Sequence, residues 1–483
     1  MRRPVLRLRS EELAGLRPAF AGVRHDLQVP DTFSPEVVAE AEAAAAAPTM
    51  LAMPRTDLTA IAFATLDPPG SMDLDQAYAI ERSAGGGFRV RYAIADVAAF
   101  VRPGGAVDLE AHRRVETLYS PDGRVPLHPT VLSEGATSLL PGVDRPALVW
   151  TLDLDEHGDL VGTDVSRAVV RSREKQDYPA VQAALDDGSA PEPVQLLREV
   201  GGLRQALERA RGGMSLNTPE QEVVTDADGG WSLHFRASLP VEDWNAQISL
   251  LTGMAAAQLM LKGGIGVLRT MPPADPRDVD RLRRVARGLG IAWPAEQPYG
   301  ELLSSLHPVR GREAAFLTEA TRLFRGAAYA SFDGTAPVEQ THAAIAAPYA
   351  HCTAPLRRLV DRYAGEVCVA LCAGAAVPEW ARAALPALPD EMAEGIRRGN
   401  RLDRANLDLV EAAILAPAVG QVFSAVVVDL DERRGGATVQ VADPAVLAHC
   451  DAPKGQLPLG GTISVRLDTA DVATRSVRFS RVP

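Results

Sequence analysis

Hydrophobic positions along the chain switch between helical and strand-like spacing, and the switches mark its organisation. In the first 50 residues apolar positions recur at helical spacing in "SEELAGLRPAFAGVRHDL" and again in "FSPEVVAEAEAAAAAP". In the second run Ser34 suits the N-cap, Pro35 the first helical position and Glu36 the dipole, and Pro48 lies beyond the end. So short a segment cannot bury a large core. Residues 1–50 therefore read as a small helical region, with a compact helix-turn-helix as one form of it. From about 57 to 102 the pattern becomes strand-like in "LTAIAFATLD", "DQAYAIERS" and "GFRVRYAIADVAAFV", with "SAGGG" as a hairpin turn. Helix and strand mix to about 245. "DWNAQISLLTGMAAAQLMLKGG" and 277–330 read as helical, and longer helical patterns cover about 353–374 and 389–414. From Pro417 onward, "GQVFSAVVVDLDERRGGATVQVAD" and "GGTISVRLDTADVATRSVRFSRV" alternate apolar and polar positions in short strands, which suits a small β-barrel. The whole reads as α+β.

At 483 residues the chain is too long for one ordinary core, so two or three domains are expected. Hydrophobic content of 46% and charged content of 23% describe a soluble globular protein, and no apolar run reaches membrane-helix length. The basic N-terminus "MRRPVLRLRSEELAGLRPAF" lacks the continuous apolar stretch of a secretory signal. Cys352, Cys368, Cys372 and Cys450 have no zinc-ligand spacing, and Cys368 and Cys372, four apart on a helical stretch, suit core packing. A reduced, cytoplasmic protein is expected. The net charge of −12 argues against indiscriminate coating of nucleic acid. It leaves room for a strand threaded through a locally basic channel.

The stretch "LDPPGSMDLDQA", residues 66–77, crowds Asp67, Asp73 and Asp75 together and follows them with Gln76. Like charges so close repel unless a cation lies among them, and magnesium takes oxygen ligands that a bent loop can supply. Asp73 and Asp75 alternate with Met72 and Leu74, so in an extended segment both acids share one face. The Pro-Pro-Gly bend can turn Asp67 to the same side. A solvated acidic loop is the plainer alternative. A calcium loop fails, because Ala77 and Tyr78 stand where an acid and a glycine are required.

"ATLDPPGSMDLDQAYAI" resembles the signature of the ribonuclease II/R (RNB) exoribonuclease family, where an aspartate is followed six, eight and nine positions on by three more. "YAIADVAAFVRPGGAVDLEAHRRVETLYSPDGRVPLHP", "DWNAQISLLTGMAAA", "GIGVLRTMPPAD" and "YAHCTAPLRRLVDRY" resemble later segments of that family, and the chain's end resembles its S1-like OB-fold. The resemblance runs from about residue 50 to 483. Beyond the helical region read at 1–50, it implies an RNB catalytic domain at 51–415 (a mixed sheet surrounded by helices) and an S1-like RNA-binding barrel at 416–483. It also implies a processive, magnesium-dependent hydrolase, using one or two ions. Such an enzyme releases nucleoside 5′-monophosphates from single-stranded RNA with a free 3′ end.

On this resemblance Asp67, Asp73 and Asp75 are catalytic and hold the metal, with Gln76 in the place of the fourth aspartate ligand. The Gln76 amide oxygen can still coordinate magnesium but brings no charge. Arg357 matches the catalytic arginine, whose fork suits a phosphate. Tyr119 and Tyr178 match base-stacking tyrosines, and Arg358 and Asp403 complete the RNA-contacting set, Asp403 standing where glutamate is common. By the residues alone, Arg357 and Arg358 also suit a surface pair with Asp361, and each tyrosine suits partly buried packing. His342 and His351 are assigned no catalytic role. Leu216 stands where a second clamping aromatic is expected, and 50 residues cannot hold the two cold-shock-type OB-folds that usually precede the catalytic domain. The chain is expected to act as a monomer, away from membranes. An RNA-binding relic, and a nuclease that cuts internally or acts on DNA, stay open as alternatives.

Overall fold

The computed structural model describes residues 6–47, 54–214, 220–225, 228–236, 238–307, 311–431, 435–453 and 455–482. Two helices come first, α1 (Ser10–Asp26) and α2 (Pro35–Ala46). The Ser34 hydroxyl accepts from the Val37 N–H at 3.3 Å, so the cap read from the sequence forms. The strands β1 (Thr56–Asp57), β2 (Phe63–Asp67), β3 (Gln76–Arg82) and β4 (Phe88–Ala95) follow, then α3 (Ala106–Arg114) and the small hairpin β5 (Leu118–Ser120) and β6 (Gly123–Val125). Next come β7 (Asp144–Leu154), the long β8 (Leu160–Asp177), α4 (Tyr178–Asp186), α5 (Glu192–Ala210) and the hairpin β9 (Glu220–Thr225) and β10 (Trp231–Arg236).

The 24-residue helix α6 (Pro240–Gly263) starts with proline at its N-terminus and stops at Gly264 in the left-handed conformation, φ 73°. It leads to β11 (Ile265–Thr270), α7 (Pro276–Leu289), α8 (Tyr299–Ser305), α9 (Gly311–Ala320), β12 (Ala328–Asp333), β13 (Thr341–His342) and β14 (Ala347–Pro348). The helices α10 (Leu359–Cys372), α11 (Glu379–Ala384) and α12 (Leu388–Leu415) precede five last strands, β15 (Val422–Leu430), β16 (Ala437–Val441), β17 (Val446–Asp451), β18 (Thr462–Asp471) and β19 (Ser476–Arg481).

The central sheet has the order β1-β8-β2-β3-β4-β7 and is mixed. The first part of β8 pairs antiparallel with β7 and its last part pairs parallel with β2, so the sheet curls back on itself. One face packs Tyr78, Tyr92 and Trp150 against Ile248 and Leu251 of α6 and Val360 and Val367 of α10. The other face packs Phe63, Ala93 and Ala147 against Val37 and Ala41 of α2, with Leu74 and Leu356 in the same cluster. The last five strands form a closed barrel, β15-β16-β17-β19-β18.

Two expectations need correction. α1 and α2 do not form a helix-turn-helix. Leu16, Phe20 and Val23 of α1 join a core with α12 and the barrel, whereas α2 packs on the central sheet. Each helix buries its apolar stripe where a larger partner offers more surface. The helical reading of 353–374 begins six residues too early. Residues 353–358 are a loop, in which Pro355 is poor for a helix interior and the Asp361 carboxylate takes the Ala354 N–H at 2.7 Å. Among the described residues no helix is long and apolar enough to cross a membrane. All four cysteines are unpaired.

Candidate active site

Asp67 closes β2, and the parallel register sets it beside Asp177 at the end of β8. The Pro68–Gly70 bend returns the chain to Asp73 and Asp75, and β3 starts at Gln76. Ser138, fully buried, fixes this loop: its hydroxyl donates to the Met72 carbonyl at 2.6 Å and accepts from the Leu74 N–H at 3.0 Å. Leu74 is fully buried. The alternation therefore works as expected, with the apolar residue anchored inward and the acids left for the site.

Asp75 is 4% exposed; its Oδ1 accepts from the Leu356 N–H at 2.7 Å, and its Oδ2 lies 3.8 Å from Arg357 Nε. Burial pushes its carboxyl well above the ordinary range, against the pull of Arg357 and the Leu356 N–H. Asp67 is pushed up to about 7, first by burial and then by the charge of Asp73, and its Oδ2 is buried with no hydrogen-bond partner. Asp73 Oδ1 accepts from Arg124 at 2.8 Å, and Arg124 also pairs with Glu134 at 2.7 Å.

The donor set suits a hard divalent cation: three carboxylates on one bent loop, one with a buried oxygen awaiting a partner. Among the described residues no group of three or more His, Cys, Asp or Glu yet converges closely enough to enclose an ion. Asp73 and Asp75 are each turned partly toward an arginine. The buried Asp67 oxygen without a partner is the feature of this site that a bound cation would satisfy.

Gln76 departs from the expectation that it is a ligand. Its amide nitrogen donates to the Thr353 carbonyl at 2.7 Å, and its amide oxygen accepts from the Tyr92 hydroxyl. Both ends of the amide are held by protein.

Arg357 and Arg358 are adjacent and differently employed. Arg358 makes a two-pronged pair with Asp361, at 2.6 and 2.8 Å, and its side chain is 15% exposed. Burial alone would lower its pKa, but Asp361 holds it above its ordinary value. The expectation that Arg358 contacts RNA does not fit this position, since its fork is already committed. The Arg357 side chain is 46% exposed and faces Asp75. The loop that carries both rests on α6, where Gly253 allows contact: a Cβ there would lie 2.2 Å from the Tyr349 ring. Thr117 N–H to Arg357 C=O and Leu359 N–H to Val115 C=O, each 2.9 Å, tie the same loop to the segment before Tyr119.

Tyr119 sits on β5, half exposed, yet burial by surrounding atoms pushes its hydroxyl up to about 12, with Asp73 and Asp75 adding to the effect. Asp403 on α12 is likewise exposed with its carboxyl pushed up by desolvation, and its charge is felt by Glu116. Tyr178 opens α4 directly after Asp177. Its hydroxyl accepts from Asn245 at 3.1 Å and feels the charge of Asp67. The position of Leu216 lies outside the described residues. His351 is buried with Nδ1 2.6 Å from the Tyr329 hydroxyl, and burial, Arg358 and Arg269 hold it neutral. Arg124, Ser138, Tyr92 and Asn245 carry no sequence signal for these roles: Arg124, Ser138 and Asn245 reach partners 51 to 67 residues away, and Tyr92 reaches Gln76 across the β3–β4 pair.

The RNB domain family model matches residues 55–370, and the RNase II-type exonuclease C-terminal S1 domain model matches residues 421–482. Ribonuclease R of Thermotoga maritima is 26% identical over 88% of this chain and 62% of its own length. Ribonuclease R of Escherichia coli is 30% identical over 64% of this chain and 39% of its own. The chain thus spans less than two thirds of these curated relatives. Among solved structures, Mycoplasma genitalium RNase R in complex with ribose methylated single-stranded RNA superposes with TM-score 0.85. It is 19% identical, over 96% of this chain and 77% of that one. Yeast Ssd1, a pseudonuclease, superposes with TM-score 0.65 at 16% identity, over 89% of this chain and 53% of that one. Fold and family model agree, and the chain belongs to the RNB domain family, with an RNase II-type S1 domain near its C-terminal end.

Proposed function

We propose that this protein is a magnesium-dependent exoribonuclease that shortens single-stranded RNA from its 3′ end by hydrolysis, processively, to nucleoside 5′-monophosphates. The observation that carries this reading is the meeting of Asp67, Asp73, Asp75 and the half-exposed Arg357 at one end of the curled sheet. Asp67, Asp73 and Asp75 would hold the metal, which supplies activation of water and neutralisation of phosphate charge. Arg357 reaches the scissile phosphate with a planar fork and stabilises the charge that develops there. Leu356 N–H holds the Asp75 carboxylate in one orientation. Tyr119 and Tyr178 stack on bases without regard to sequence, worth roughly 1–3 kcal/mol per base. Asp403 accepts from a ribose 2′-hydroxyl, a contact open to RNA and closed to DNA. The barrel contributes RNA affinity and no chemistry.

The likeness to a pseudonuclease keeps a second reading alive, an RNA-binding protein without cleavage. Against it stand three mutually repelling carboxylates, which a chain without metal chemistry has no reason to keep together. Incubating matched RNA and DNA strands with magnesium separates the two. Loss of RNA alone supports the proposal, and tight binding without loss of either supports a relic.

A further inference from the structure

We propose that Gln76 lies outside the metal-ligand set and acts as a positioning residue for the loop that carries Arg357. This rests on the exoribonuclease reading above.

Asp75 and Gln76 are chain neighbours, and both grip the same loop. Asp75 accepts from the Leu356 N–H at 2.7 Å, and Gln76 donates to the Thr353 carbonyl at 2.7 Å. The two attachment points lie on either side of Ala354 and Pro355, and the second, Leu356, immediately precedes Arg357, whose side chain faces Asp75. From its other end, Gln76 accepts from the buried Tyr92 hydroxyl, whose oxygen lies 2.9 Å from Ser249 Oγ on α6. A continuous polar chain therefore runs from α6 through β4 and β3 to the loop. The side chain at 76 must accept from Tyr92 and donate to Thr353, and a glutamine does both. A carboxylate could accept from Tyr92 but would set a second oxygen against the Thr353 carbonyl.

To coordinate a cation, the Gln76 oxygen would have to turn from Tyr92, and the amide nitrogen would leave Thr353 without its donor. Buried polar groups resist that loss. Of the four residues at this site, only Asp67 has a buried side-chain oxygen without a partner. The ligand set is then Asp67, Asp73 and Asp75, and the neutral residue at 76 serves the arginine rather than the metal.

The test uses the full chain, with Mn2+ as the probe ion and Gln76→Leu, Gln76→Glu and, as a control, Asp73→Asn. Electron paramagnetic resonance gives Mn2+ affinity, and amide exchange at Ala354, Leu356 and Arg357 reports the loop. Turnover of a short RNA gives kcat and KM separately. Gln76→Leu is expected to keep Mn2+ affinity within threefold, whereas Asp73→Asn loses at least tenfold. Loop exchange should rise at least tenfold, and kcat should fall at least tenfold with KM within threefold. Gln76→Glu, which keeps length and the Tyr92 contact, should show the same faster exchange and lower kcat, and it carries the test if Gln76→Leu fails to fold. A tenfold loss of Mn2+ affinity in Gln76→Leu, or unchanged loop exchange in both variants, overturns the proposal. Wild-type protein that binds Mn2+ but leaves RNA intact would remove the exoribonuclease reading, while affinity and exchange still decide the place of Gln76.

Discussion

Asp75 accepts from the Leu356 N–H with Oδ1 and keeps Oδ2 toward Arg357. Asparagine can present an oxygen to Leu356 in the same way, so Asp75→Asn should fold normally. It removes the charge that a metal-polarised water needs, and turnover should fall by roughly 10²–10³-fold or more. RNA affinity, which the proposed function assigns to stacking and phosphate contacts elsewhere, should stay within a few-fold. Single-turnover rates and filter binding check both halves, and more than a tenth of wild-type turnover would refute it. Arg357→Lys keeps the charge and loses the fork, and kcat should drop by about 10²-fold while thermal stability holds. At this scale the aspartates were legible, because alternation around Leu74 is a local pattern. The employment of Arg358 and Gln76 was not. It depends on Asp361, Tyr92 and Thr353, brought together by the fold from separate segments.

Helix α12 joins the candidate site to the barrel, with Asp403 on one stretch and Glu411 two turns on. Glu411 is 1% exposed, and its Oε1 accepts from Gln221 Nε2 at 2.6 Å and from the Leu447 N–H of the barrel at 3.1 Å. Burial pushes its carboxyl from 4.5 up to about 7. The folded protein thus keeps a proton there that an unfolded chain gives up near 4.5. Stability from this group is complete below that value, declines as pH rises toward about 7, and stays reduced above it. Glu411→Gln should flatten that decline and raise stability above pH 7 by on the order of 1–3 kcal/mol. Denaturant unfolding at pH 5 and pH 8 checks this, and equal effects at both values would contradict it. The existence of α2, α6 and α12 was readable from periodicity and caps. The start of α10 was not, because Asp361 draws the Ala354 N–H into a loop, and that hydrogen bond leaves no periodic trace.

Across the whole molecule, the barrel is not an appendage. Phe20 of α1, Leu402 and Leu409 of α12 and Phe423 and Phe479 of the barrel belong to one core, and Phe20 meets Trp231 of β10 edge-on at 6.0 Å. Removing residues 417–483 should expose this core and lower the thermal midpoint of the rest by roughly 5 °C or more. An unchanged midpoint would show that the barrel is separable. The strands of the barrel could be read from alternation, but its shared core with α1 could not, since 400 residues of chain intervene. The central claim is that this arrangement removes nucleotides from a 3′ end. The most direct measurement follows 5′-end-labelled single-stranded RNA with magnesium, resolving chain lengths and small products together. Expected are a label that stays on chains shortened from the other end, nucleoside 5′-monophosphates as the released product, and intact full-length RNA when the metal is chelated. Intact RNA in a stable complex, internal fragments, or label released first as a mononucleotide would contradict it.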